Sequence, residues 1–170
     1  MLSSLPLNVH WQRAEDEVFW LFTAVMKRTR RLFLDDMRGY TDCIKLIEPL
    51  IRLHVPKVMR HLNKLEISMD QLGGIVGGWF ITLFSMDQSS LAFCTRIWDS
   101  FLLDGFETII RVGVAIFQLS QHQLLACPST ETVVAHLKQP LEQVVDPEPV
   151  LSVAWRLRID AKTLRKIRLI

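Results

Sequence analysis

Apolar side chains recur along this chain at three- and four-residue intervals, the spacing that places them on one face of a helix. The most telling run is Arg96-Ile97-Trp98-Asp99-Ser100-Phe101-Leu102-Leu103-Asp104-Gly105-Phe106. Ile97, Trp98, Phe101 and Leu102 share a stripe there, and Gly105 supplies the positive-φ position that commonly ends a helix. Glu107 then falls in the first turn of a following helix, where its charge suits the helix dipole. From Ile109 to Leu119 apolar residues occupy nearly every face, the pattern of a helix buried on more than one side.

The same periodicity predicts helices on either side. Glu15 to Met26 carries Val18, Phe19, Leu21, Phe22, Val25 and Met26 at helical spacing, with Lys27, Arg28, Arg30 and Arg31 offsetting the dipole at its end. Before it, Met1 to His10, broken by Pro6, reads as the tail of a helix; after it, Leu32 to Tyr40 reads as a connector. Thr41 or Asp42 is the expected N-cap of a helix over Cys43 to His54, whose stripe is Ile44, Ile47, Leu50 and Ile51, with Pro49 a point of kink or early break. Pro56 suits the first turn of a helix bearing Val58, Met59, Leu62 and Leu65.

Ser68 and Gln71 fit a capping box that opens a glycine-rich helix, with Gly73, Gly74, Gly77 and Gly78 ahead of Trp79-Phe80-Ile81-Thr82-Leu83-Phe84. Ser85 to Gln88 reads as the turn and cap before the Arg96 helix. Beyond a break at Cys127-Pro128, Ser129 or Thr130 caps a short helix to Lys138. Pro140, Pro147 and Pro149 punctuate the tail, a helix spans Val150 to Arg158, and Asp160 caps a final turn or two. No strand-like alternation of useful length and no internal repeat appears, so the fold class is all-α.

Composition narrows this picture. A chain of 170 residues that is 49% hydrophobic fits one folded domain and argues against disorder. A net charge of +2 is too small to imply nucleic acid. Cys43, Cys94 and Cys127 lack paired spacing and read as reduced thiols of a cytosolic protein. No signal peptide is evident, and no apolar run is long enough to span a membrane; Val112 to Leu119 is a core helix by length.

Candidate chemistry is sparse. The glycines satisfy neither Gly-x-Gly-x-x-Gly nor Gly-x-x-x-x-Gly-Lys-Ser/Thr, so close helix packing is preferred to a phosphate cradle. His54 and His61 are seven apart with Pro56 between them and no cysteine or carboxylate cluster beside them, which disfavours zinc. Gly-x-Ser-x-Gly, His-Glu-x-x-His and Cys-x-x-Cys do not occur, leaving hydrolase and redox readings without residues. Arg96 and Asp99, three apart, can meet on one helical surface, and an architectural ion pair is preferred to a catalytic one. Arg156, Arg158, Lys162, Arg165, Lys166 and Arg168 cluster near the end. Leu157, Leu164 and Ile167 interleave with them, so a solvated basic helix face is preferred to a membrane or nucleic-acid patch.

A set of short strings occurs in a fixed order: Glu17-Val18-Phe19-Trp20, Asp36-Met37-Arg38-Gly39, Pro56 with His61-Leu62, Trp79-Phe80-Ile81-Thr82-Leu83-Phe84 and Arg96-Ile97-Trp98-Asp99. Together with Gly105 and the Arg111-x-x-x-Ala115-Ile116 run, this order resembles the TBC domain of Rab GTPase-activating proteins over roughly 15–125, with a looser helical tail over 129–170. The motif positions Phe19, Trp20, Trp79, Phe80, Arg96, Trp98, Asp99 and Gly105 are the structural candidates. The resemblance implies a right- and left-packed helical array like the C-terminal subdomain of that domain. It also implies a GTP-bound Rab-type GTPase as partner, with magnesium carried by the GTPase, and no nucleic acid. The implied location is cytoplasmic, peripheral to endomembranes through that partner.

In that family an arginine from Ile-x-x-Asp-x-x-Arg and a glutamine from Tyr-x-Gln enter the GTPase site. Neither motif occurs here; the nearest strings are Ile67 to Gly73 and Tyr40-Thr41-Asp42. The resemblance places the glutamine segment about twenty residues ahead of the acidic-x-x-Phe-Trp helix, so the chain is expected to hold one partial domain, the C-terminal half, with no catalytic, cofactor or metal residues. An arginine finger is worth about 10³–10⁵ in rate, or roughly 4–7 kcal/mol of barrier, so little activation is expected; nothing orients Arg30 or Arg38 to replace it. The alternatives are a non-catalytic adaptor or pseudo-GAP, and an unstable truncation with uncovered apolar faces.

Overall fold

The structure is a computed structural model that describes residues 7–85, 90–138 and 146–167, with the side chains of residues 7–12, 69 and 75 left aside. Every regular element among these residues is a helix, as the periodicity predicts. They are α1 (Leu7–Phe33), α2 (Arg38–His54), α3 (Pro56–Lys64), α4 (Met69–Ile81), α5 (Leu91–Asp104), α6 (Phe106–Leu119), α7 (Gln121–Ala126), α8 (Thr130–Lys138), α9 (Glu148–Arg156) and α10 (Ala161–Ile167). Among the described residues no helix is long and apolar enough to cross a membrane.

The core is built around α6. Phe106 and every residue from Thr108 to Phe117 are buried, and α2, α4, α5, α7, α9 and α10 all pack on this one helix. The predicted multi-sided burial is therefore met, apart from Leu119, which is half open at its end. α2 buries Cys43, Ile44, Leu46, Ile47, Leu50 and Ile51, with Ile47 set against Gly113 of α6 and Ile44 against Gly73 of α4. α3 buries Val58, Met59 and Leu62, as its pattern predicts.

Local signals set several boundaries. Ser68 and Gln71 close a reciprocal capping box at the start of α4, and Asp160 Oδ1 accepts the amides of Lys162 and Thr163 ahead of α10. α4 and α2 approach closely because Gly77 has no side chain: a Cβ there would overlap the Tyr40 ring. The Tyr40 hydroxyl donates to the Gly73 carbonyl at 3.0 Å. Gly73 and Gly77 thus form the close-packing face preferred from sequence, whereas Gly74 is exposed with open space beside it.

Other expected boundaries shift. α1 begins at Leu7 and continues through the Lys27–Arg31 cations to Phe33, because polar residues at a helix end do not terminate it. The connector shrinks to Leu34 through Met37, with Asp35, Asp36 and Met37 all at positive φ. α2 consequently starts at Arg38, capped by no side chain, and Thr41 and Asp42 lie inside it. Pro49 does not end α2, which runs on to His54. Ser90, rather than the Ser85–Gln88 stretch, caps α5 by accepting the Phe93 amide at 3.1 Å; residues 86–89 lie outside the description, as do Pro140 and Arg168. α9 covers Glu148–Arg156, two residues earlier than expected at each end.

Candidate functional site

The sequence candidates divide into two places. Trp79 and Phe80 on α4, Arg96 and Trp98 on α5, and Gly105 at the α5–α6 junction converge on one elbow of the molecule. Phe19 and Trp20 stand apart on α1.

At the elbow, burial of a tryptophan requires a partner for its indole N–H. Trp98 finds one in the Leu83 carbonyl at 3.0 Å, across the turn that leaves α4. Trp79 is buried and stacks on Phe84 with ring centroids 5.7 Å apart, and meets Phe117 of α6 edge-on at 6.1 Å. Phe80 packs on Phe106 at 6.3 Å, and Phe84 meets Phe93 at 6.1 Å. Gly105 sits at φ +78°, so a single residue both ends α5 and starts α6. The stripe of Ile97, Phe101, Trp98 and Leu102 faces this cluster, the first two fully buried and the others packed against it. Trp79, Phe80 and Trp98 are thus packed together at the elbow.

Arg96 is turned differently from the expectation. Its Nε donates to Glu148 at 2.6 Å, and its Nη1 reaches the Ser100 hydroxyl at 3.4 Å. The pairing with Asp99 is not made; Glu148, the first residue of α9, takes its place, and Asp99 points to solvent. Spacing within α5 could not show this, because the partner arrives from a distant helix.

Sequence reasoning used Arg111 only as the first residue of the Arg111-x-x-x-Ala115-Ile116 run, yet it is the most deeply seated charge among the described residues. Its Nε donates to Glu107 at 2.7 Å with both side chains nearly buried. Its Nη1 donates to the carbonyls of Ala154 at 3.2 Å and Leu157 at 2.7 Å, the open C-terminal end of α9. The Trp155 ring lies 5.1 Å from the guanidinium carbon. The available signal was Glu107 and Arg111 four apart within an otherwise apolar helix.

On α1, Val18, Phe19, Trp20, Leu21 and Phe22 are all exposed, and the Phe19 and Trp20 rings touch edge-to-face at 5.5 Å. Only the later turns, through Val25, Thr29 and Leu32, enter the body. Arg28 adds a bond from its Nη1 to the Phe101 carbonyl at 3.3 Å.

Two of the histidines reach backbone carbonyls, while the buried Nε2 of His136 has no hydrogen-bond partner among the described residues. His54 Nε2 donates to the Arg158 carbonyl and His61 Nε2 to that of Cys127, each at 2.9 Å. Among the described residues no group of three or more His, Cys, Asp or Glu side chains is arranged to hold a metal. Cys43 is buried beside Asp42; burial first and that carboxylate second push its thiol up to about 12, which keeps it protonated and unreactive.

Compared with known proteins, residues 4–125 match the family described as the Rab-GTPase-TBC domain. The human ecotropic viral integration site 5 protein homolog is 27% identical over 160 residues, covering 92% of this chain and 19% of that protein. Rab GTPase-activating protein eat-17 of Caenorhabditis elegans is 24% identical over 160 residues, 92% of this chain and 18% of that protein. Growth hormone-regulated TBC protein 6 of the same worm is 24% identical over 124 residues, 73% of this chain and 36% of that protein. The chain thus spans from about a fifth to about a third of the length of these curated relatives.

Proposed function

The chain belongs to the Rab-GTPase-TBC domain family, whose members are GTPase-activating proteins, and we propose on that footing that it engages a GTP-bound Rab-type GTPase through the family's supporting half. The helices from Glu15 to Leu125 brace a GTPase-facing surface, and the residues that would accelerate hydrolysis are not among them. The proposed setting is the cytoplasm, with endomembranes reached through the partner.

The observation that carries this reading is the state of Arg96. The arginine of the family string is tied to Glu148 and Ser100, and the aromatic motif residues around it are packed into the core. The motifs at this elbow therefore act as framework, while Phe19 and Trp20 of the α1 string stay exposed. The absence of Ile-x-x-Asp-x-x-Arg and Tyr-x-Gln from the sequence agrees with it.

The test is single-turnover GTP hydrolysis by a panel of Rab proteins, with binding followed in parallel. Binding to one or more GTP-loaded Rabs with hydrolysis within about tenfold of the intrinsic rate is expected; a finger-type acceleration of about 10³ or more would refute the supporting-half reading. Binding without acceleration that persists on non-Rab partners would favour the second reading, a non-catalytic adaptor. That reading draws on the same missing motifs.

A further inference from the structure

The C-terminal ends of α2, α6 and α9 meet around a cavity of about 180 Å³, lined by His54, Gln118, Val153, Arg156 and Leu157. A site that encloses a drug-sized molecule runs to about 300–1,000 Å³, and one water takes about 30 Å³, so this space suits a small ionic group. No carboxylate lines it. Arg156 and Gln118 are both exposed, and among the described residues neither side chain has a hydrogen-bonding partner.

Helix C-termini carry negative partial charge and ordinarily repel an anion. At this junction the carbonyls are already closed. Arg111 holds those of Ala154 and Leu157, the Val55 amide takes that of Ile51, and the Ser120 amide takes that of Ile116. His54 Nε2 donates to the Arg158 carbonyl at 2.9 Å. The chain on both sides of Arg156 is thereby pinned, so little freedom is lost when its guanidinium meets a ligand. The surrounding charge has the same sign. Arg158 follows Arg156, and α10, which packs on α2 and α6, brings Lys162, Arg165 and Lys166. Against them stand Asp160, whose carboxylate already accepts the Lys162 and Thr163 amides, and Glu48, paired with Arg52.

We propose that this cavity binds a phosphate monoester dianion. The guanidinium fork of Arg156 offers two parallel N–H groups, and the Gln118 amide adds a donor from another helix. Three donors match the three terminal oxygens of a phosphate monoester, whereas a carboxylate has only two. Arg156 thus departs from the solvated basic face preferred for the C-terminal cations, because it walls a cavity beside a second, unengaged donor. The site lies outside the GTPase reading and is measured without a GTPase.

The source of the phosphate is separated by two experiments on the full chain. Inorganic phosphate is titrated calorimetrically, and flotation is followed with phosphatidylcholine vesicles doped with phosphatidic acid, which carries the same group on a lipid. Saturable binding with a dissociation constant on the order of a millimolar or below is expected. Binding in the calorimeter assigns a soluble phosphate, and capture by vesicles alone assigns a lipid headgroup. Arg156→Gln weakens binding by about tenfold or more and leaves the melting of the unliganded chain unchanged. Lys138→Gln, the same loss of charge on α8, leaves binding unchanged. Absence of binding in both experiments, equal weakening by the two substitutions, or equal capture by phosphatidylserine vesicles of the same surface charge would each overturn the proposal.

Discussion

Arg111 in the middle of α6 donates to the carbonyl of Leu157 at 2.7 Å, so a charge within the most buried helix closes the open end of α9. Its partner Glu107 keeps the guanidinium compensated in a site with little water. Removing one member of such a pair leaves an uncompensated buried charge, whereas replacing both with apolar groups is often neutral. Arg111→Met is therefore expected to lower unfolding stability by about 3–5 kcal/mol, read as the urea midpoint. Arg111→Met with Glu107→Leu should recover most of that loss, and Arg111→Lys should recover little, because a lysine cannot span two carbonyls and a carboxylate in the same geometry.

Arg96 offers the contrast. Its bond to Glu148 is short, but both side chains are about half exposed, at 43% and 60%. Solvent screening limits such a pair to about 0–1 kcal/mol. Arg96→Ala should cost no more than that, and Asp99→Asn should be silent in the same denaturation experiment. A loss from Asp99→Asn matching that from Arg96→Ala would show that the two act as a pair after all.

Gly77→Ala should destabilise by about 1–3 kcal/mol, since the new methyl meets the Tyr40 ring. Combining it with Tyr40→Ala should cost less than the two single changes together, because the clash disappears with the ring. A double-mutant cycle gives the coupling directly. Strict additivity would place the strain elsewhere.

Cys43 sets an alkaline limit. Its thiol is raised from 9.0 to about 12 in the folded chain, so the unfolded chain ionises first. The stabilisation is fully present below pH 9 and is lost as pH climbs toward 12, at a slope approaching about 1.4 kcal/mol per pH unit. Cys43→Ala should flatten the stability profile across that window. The native thiol should also resist alkylation until the chain is unfolded, while Cys94 and Cys127, both part-exposed, react earlier.

The parts of this fold that were legible in the sequence are those governed by neighbours in the chain. Gly105 announced the α5–α6 elbow because a positive φ is a local demand, and Ser68 with Gln71 announced α4 because a capping box spans three residues. The run from Ile109 to Phe117 is apolar on nearly every face, Arg111 excepted, and could only be buried. What the sequence hid depends on distant chain. Glu148 reaches Arg96 across 52 residues, so the nearer Asp99 looked the better partner. Thr41 has the chemistry of a cap, yet the left-handed turn at Asp35, Asp36 and Met37 had already started α2. On α1 the pattern correctly marked a helix but could not say which of its apolar residues the body would cover.

The way Arg111 is satisfied has a bearing on how the protein is made. Its carbonyl partner Leu157 lies 46 residues further along, and α9, the helix most extensively packed on α6, is translated after it. A ribosome-bound chain that has just finished α6 therefore holds an apolar rod whose guanidinium has Glu107 but neither carbonyl until α9 has followed. Such a nascent intermediate exposes sticky surface, which favours chaperone capture during synthesis.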